Sequence, residues 1–220
     1  MRGFLVVTHN VDPTAEAEFN RWYHDEHLDQ RLAVPGFTTA RRYLAIDSRQ
    51  RYAALYETES PATLQSPAYV ELLRSPTPRT AAMMPNFRDT NRVVARVAVR
   101  QVRGAGGTVA ILFLGAGVGE VSEDGLQALG AVAATCTGCG VAPESVRVLV
   151  AESDPVGVRT PESELRPGRD RSTAVVVVIE WTQAEAADLA RLRAMVQASG
   201  FGADADRGGL YRLICARENH

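Results

Sequence analysis

A chain of 220 residues, 45% hydrophobic and 23% charged with a net charge of -2, has the composition of an ordinary soluble globular protein. That length allows one large domain or two of about 110 residues. The balance of charge excludes a protein built around a basic nucleic-acid face, and because all 24 cationic side chains are arginine, Schiff-base chemistry and a P-loop lysine are excluded too. The longest apolar runs are of strand length, so no membrane span is predicted; three cysteines without an export signal point to the cytoplasm rather than to a disulfide framework.

In chain order, Gly3 to Thr8 is a β-rich run. Asp12-Pro13 then offers an N-cap with proline at the first helical position, and a helix is predicted from Pro13 to about Leu32, stopped by Val34-Pro35-Gly36. Phe37 to Ile46 and Tyr52 to Thr58 read as a hairpin around a polar turn. A second helical region follows Ser60-Pro61, then a short Ala82-Met83-Met84 stretch, then an alternating strand from Val93 to Val102. Residues 103 to 107, Arg-Gly-Ala-Gly-Gly, form a linker, after which the grammar repeats. Thr108 to Leu114 is a strand, Ser122 to Thr135 a helix and Ser145 to Ala151 a strand. Ser153 to Arg171, proline-marked and charged, reads as an exposed loop. Thr173 to Trp181 is a very apolar strand, Thr182 to Glu185 has the form of a capping box, and Leu210 to Ala216 closes the chain with a strand.

Each half thus spells βαββαβ, the order of a ferredoxin-like α+β domain: a four-stranded antiparallel sheet with helices on one face. Strands as apolar as 109–114 and 174–179 ask to be buried on both faces. The predicted fold is therefore two tandem ferredoxin-like βαββαβ domains, residues 1–103 and 104–220, packed sheet to sheet within one chain as a pseudo-dimeric α+β barrel.

The richest chemistry lies on the first helix. At 100° per residue Phe19, Trp22, Tyr23 and Glu26 share one narrow stripe, which places a carboxylate where an amphipathic helix buries an apolar group; His27 lies at the stripe's edge and His24 away from it. An imidazole near neutral pH takes and returns protons, so His27 is the candidate acid or base, with Glu26 in support. The other reading has Glu26 accepting hydrogen bonds from Arg41, Arg42 or the backbone while His27 caps the helix. His9, at the end of the first strand, shares its parity with Leu5 and Val7 and is a third catalytic candidate. Tyr23, Tyr43 and Tyr56 carry hydroxyls able to hold a carbonyl or enolate, and Trp22 joins them as a substrate-contact candidate, although aromatic residues at such spacings commonly build the core.

Two histidines three apart could converge on an ion, but His24 lies off the buried stripe, so no metal is predicted. Cys136-Thr137-Gly138-Cys139 has redox spacing at a helix end, the wrong end for acidifying a thiol. Gly115 to Gly119 brings its third glycine one residue too early for a dinucleotide fingerprint.

The string EFNRWYHDEHLDQRLAVPGFTTARRY with the later YAALYETESPATLQSPAYVELLRS resembles the EthD-like branch of the dimeric α+β barrel superfamily, over about residues 1–103. The resemblance rests on aromatic-acid-His on the first helix, Pro-Gly-Phe, the paired-Arg-Tyr strand and the Glu-Ser-Pro corner, in that order. It implies a pocket between helices and sheet, without metal or organic cofactor, doing chemistry of the isomerase, cyclase or quinone-forming monooxygenase kind, with His27 at the position of the isomerase-like members' histidine. The second half has no counterpart of the helix motif. The function expected is a cofactor-independent enzyme acting on an apolar cyclic or aromatic carbonyl or phenol; the other candidates are a carrier of a small hydrophobic molecule and an accessory assembly subunit. A homodimer is possible in such a superfamily.

Overall fold

The computed structural model describes residues 1–114, 122–153, 160–168, 170–171 and 173–219, without the side chains of 205 and 206. Its strands are β1 (Gly3–Val11), β2 (Phe37–Ser48), β3 (Tyr52–Thr58), β4 (Phe87–Val102), β5 (Thr108–Leu114), β6 (Ser145–Ala151), β7 (Val175–Trp181) and β8 (Ala203–Glu218). They close into an antiparallel barrel in the order β1-β3-β2-β8-β5-β7-β6-β4. The first four strands run β4-β1-β3-β2 and the last four β8-β5-β7-β6, so one strand order occurs twice. The two runs join edge to edge, β2 to β8 and β4 to β6, by backbone hydrogen bonds. Closure removes the sheet edges that would otherwise template aggregation.

The alternation of side chains explains why the apolar strands lack a polar face. Phe4 and Val6, Ala53 and Leu55, Ile111 and Phe113, Val176 and Val178 point into the barrel and fill it. Their neighbours face outward against helices: Leu5, Val7, Ala54 and Tyr56 on one side, Ala110, Leu112, Val177 and Ile179 on the other. Every residue of β3, β5 and β7 is buried. β8 squeezes between β5 and β2 at Gly208, whose φ of 75° and close approach to the Ile111 carbonyl oxygen admit no Cβ.

The helices are α1 (Glu16–Trp22), a π-helical turn (Tyr23–His27), α2 (Leu28–Leu32), α3 (Pro67–Arg74), α4 (Pro78–Met83), α5 (Glu123–Ala134), α6 (Pro161–Glu164) and α7 (Ala186–Ala198). Several boundaries differ from expectation. Asp12 does not cap a helix: its carboxylate accepts from the backbone and hydroxyl of Thr14, which turns the chain, and α1 starts only at Glu16. The cap of α7 is Glu185 with Asp188, not Thr182 with Glu185. The segment before residue 171 is more than an exposed loop: Thr160 and Ser163 form a capping box for α6, and Thr160 and Glu162 are buried.

Candidate functional site: a cavity beside the first helix

The π turn decides which side chains reach the sheet. Leu28 N–H bonds to Tyr23 O, five residues back, so the helix takes in one residue more than an α-helix would. Downstream side chains are rotated relative to the 100° pattern. Phe19, Trp22 and Tyr23 are buried as expected, but the next inward position belongs to His27, 5% exposed, and Glu26 moves to the edge. This corrects the expectation of a buried Glu26 supporting His27. The Glu26 carboxylate instead accepts from the Thr77 hydroxyl and from Gln30 Nε2 at 2.9 Å, tying the helix to the N-terminus of α4. Nor does it bond Arg41 or Arg42: Arg41 reaches Glu180, and Arg42 bonds Asn20 and approaches His24.

Between this helix and the outer face of the β1 side of the barrel lies a cavity of about 870 Å³. One wall is apolar, with Leu5, Val7, Leu73, Met84, Phe87 and Val94; the other carries Tyr23, His27, Arg31, Tyr56 and Tyr69. Residues 160–168 border it, bringing Glu162 and Arg166 from the far half of the chain. Arg92, Glu152, Glu164 and Asp170 also line it, so the cavity joins an apolar wall to a strongly polar border, and a space of this size with convergent polar groups can hold a small molecule.

His27 packs between the rings of Trp22 (4.5 Å) and Tyr23 (4.7 Å), and its Nδ1 is buried without a hydrogen-bond partner. Burial, then the neighbouring Arg31 and Arg42, push its pKa well below the ordinary value, so the ring is neutral at pH 7. One helical turn on, Arg31 donates Nη2–H to Glu162 Oε1 at 2.5 Å, with both side chains buried. Its guanidinium stands 5.7 Å from the centre of the Tyr69 ring, and its Nη1 has no partner. Burial is the largest single influence and works against the charge, but Glu162, Tyr69 and Tyr56 together outweigh it and raise the pKa of Arg31. The hydroxyls of Tyr23 and Tyr56 are 3.1 Å apart, and burial raises both pKa values, so both stay protonated. One hydroxyl donates to the other, which leaves the pair one O–H to offer.

The other predicted residues lie elsewhere. His9 is fully buried but does not line the cavity; its Nδ1 is 3.0 Å from Asn10 O, so that nitrogen carries the proton, and the ring sits among Phe19, Tyr23, Tyr52 and Phe87. Burial and then Arg42 lower its pKa to about 3. Trp22 is packing, its indole N–H donating to Thr80. Tyr43 points into the barrel, where its hydroxyl donates to Glu180 Oε1 at 3.0 Å, remote from the cavity wall. Thus Tyr23, His27 and Tyr56 converge, whereas His9, Trp22, Glu26 and Tyr43 do not line the space. His24 approaches Arg42 at 3.4 Å, and no group of three metal-ligating side chains occurs among the described residues.

Cys136 is buried and Cys139 exposed; both are free, and both pKa values are raised, first by burial, which disfavours the thiolate. The glycine run 115–119 lies outside the described residues. Sequence reasoning missed Arg31, Tyr69, Glu162 and Arg166. Arg31 had a signal, being four residues after His27 and so on the same helix face.

The fold and the cavity define an α+β barrel protein with a partly open cavity on one outer face of its barrel. Within that class, the chain belongs to the family DUF4286, a domain of unknown function, whose model matches residues 4–191. Among solved structures it is similar to an anthrone oxidase-like protein (TM-score 0.63, 15% identity, 99% of this chain and 92% of that one). It is also similar to a proposed chlorite dismutase (TM-score 0.54, 11% identity, 97% and 95%) and to a proposed monooxygenase from Fusobacterium nucleatum subsp. nucleatum (TM-score 0.54, 7% identity, 99% and 94%). At these identities the likeness concerns the fold alone. No curated protein matches the chain. Among the described residues, no helix is long and apolar enough to cross a membrane.

Proposed function

We propose that the chain is a small-molecule enzyme that moves a proton on an apolar cyclic or aromatic ketone or phenol, with His27 as the base and no bound cofactor. One observation carries this reading: a neutral, buried imidazole, its Nδ1 without a partner, belongs to the lining of a cavity with an apolar wall on one side and polar and charged groups on the other. The unprotonated imidazole has a lone pair to accept the proton, negative charge developing on a bound substrate would strengthen it as a base, and the apolar wall suits a ring. The proton leaves a carbon next to a carbonyl for the imidazole; the C–H electron pair becomes the enolate double bond, and the carbonyl π pair moves onto oxygen. Return of the proton to another carbon is isomerisation; attack of the same enolate carbon on a second carbonyl of the substrate would be cyclisation, and its reaction with dioxygen as the oxidant would be oxygenation. The neighbours named as anthrone oxidase-like and as a proposed monooxygenase are compatible with that substrate class. So is the EthD-like resemblance of residues 1–103, and the repeated strand order supports a tandem ferredoxin-like duplication in which the second half covers the first. A filled cavity would have favoured an assembly subunit; an open one favours ligand chemistry.

The test is deuterium exchange at C1 of 2-tetralone in D2O, followed by NMR. Wild type is expected to exceed the buffer rate, and His27→Asn to lose about 10²- to 10⁴-fold of that enhancement. A wild type no faster than buffer, or exchange untouched by His27→Asn, contradicts the reading. Binding of the ketone without exchange would identify a carrier.

A further inference from the structure

Proton abstraction leaves negative charge on the substrate oxygen, and an anion drawn out of water against the apolar wall is costly unless a donor meets it. The group placed to receive it is Arg31. It stands four residues after His27, one turn along the same helix face, and both line the cavity. Its side chain is only 3% exposed, which would normally require every N–H to be matched, yet Nη1 has no acceptor while Nη2 is occupied by Glu162 Oε1 at 2.5 Å. Glu162 comes from α6, in the other half of the chain, and Tyr69 lies against the guanidinium at 5.7 Å, so two contacts hold it.

We infer that Arg31 donates Nη1–H to the substrate oxygen that becomes negative, with Glu162 as the positioning residue that fixes the guanidinium. Resting on the reading of His27 as base, this narrows the substrate to a ring compound with a carbonyl or phenol oxygen at the His27–Arg31 end and an apolar body along Leu5, Val7 and Phe87. The proton goes to His27 and the charge to an oxygen facing Arg31, so no co-reactant is needed for this step. The arrangement also explains a neutral pair of partners at the buried end: Arg31 and Glu162 cancel in net charge, and the free N–H supplies direction rather than bulk attraction.

The probes are 2-tetralone for exchange and 2-naphthol, an aromatic mimic of its enol, for binding. Naphthol and naphtholate differ in absorption, so the spectrum reports the oxygen's environment directly. Wild type is expected to bind 2-naphthol at neutral pH with the naphtholate spectrum. Arg31→Met would leave Glu162 buried and unpaired, so it is combined with Glu162→Gln. The double variant is expected to lose the naphtholate spectrum and about 10²- to 10³-fold of exchange. Glu162→Gln alone keeps an acceptor for Nη2 and keeps the spectrum. His27→Asn loses exchange but keeps the naphtholate spectrum, which separates the two claims. A double variant that retains both spectrum and exchange overturns the role of Arg31 while leaving His27 standing; a wild type that takes up neither probe overturns both.

Discussion

His9 and His27 are two histidines kept neutral by the same surroundings, and only one faces open space. His9 is enclosed by aromatic rings and gives its Nδ1 proton to a backbone oxygen, so it cannot reach a ligand without unpacking the core. Its role is structural, and that role has a pH signature. The unfolded chain binds a proton on this ring near its ordinary pKa of 6.5, the folded protein only near about 3. Stability from His9 is therefore complete above about pH 6.5 and is lost as pH falls toward 3, at roughly 1.4 kcal/mol per pH unit within that window. His27 adds in the same direction, because its pKa too is lowered. Urea unfolding at a series of pH values is expected to show this acid limb, with a shallower slope in His9→Phe, which keeps an aromatic ring and removes the titration. An unchanged slope would mean that His9 already titrates normally in the folded protein.

The element that sets the site is the π turn. Without it, a helix continuing from Trp22 at 100° per residue would aim Glu26 inward. With one residue taken into the turn, His27 and Arg31 share the inward face. Asp25, exposed within the turn, is the residue whose removal tests this. Deleting Asp25 should convert the turn to α-helix while His27 and Arg31 keep their direction, so the protein should still fold and bind 2-naphthol. Inserting an alanine after Asp25 should rotate both away by about 100° and abolish binding. Equal effects of deletion and insertion, by thermal unfolding and binding, would contradict the assignment.

Elements were legible where the chain is monotonous in its physics. β3, β5 and β6 begin and end as predicted, because apolar runs bounded by turn residues leave little choice. β4 and β8 start six and seven residues earlier than the hydropathy suggested, since their first turns pair through backbone groups that composition does not encode. A π turn leaves no trace in hydropathy either, because it changes the period locally without changing the residues. That is why Glu26 looked buried and His27 marginal. Glu162 was hidden for another reason: a glutamate in a proline-marked charged stretch reads as solvated, and its burial depends on Arg31, 131 positions away in the chain.

At the scale of the whole molecule, the barrel joins the two halves through the β2–β8 and β4–β6 seams and through an interior filled by side chains from both. The first half supplies the cavity's apolar wall and His27; the second supplies part of its border and the carboxylate that holds Arg31. A closed barrel gives such a site a rigid floor, which positions groups better than loops would. The second half, though lacking the helix motif, thus contributes directly to the site.

The most direct measurement is a crystal structure of the protein with 2-naphthol bound. The naphthol ring is expected against Leu5, Val7 and Phe87, with its oxygen within hydrogen-bond distance of Arg31 Nη1 and next to the His27 imidazole. Naphthol bound elsewhere on the molecule, or a cavity closed by side chains that exclude it, would contradict the claim that His27 and Arg31 form the working end of a ligand site.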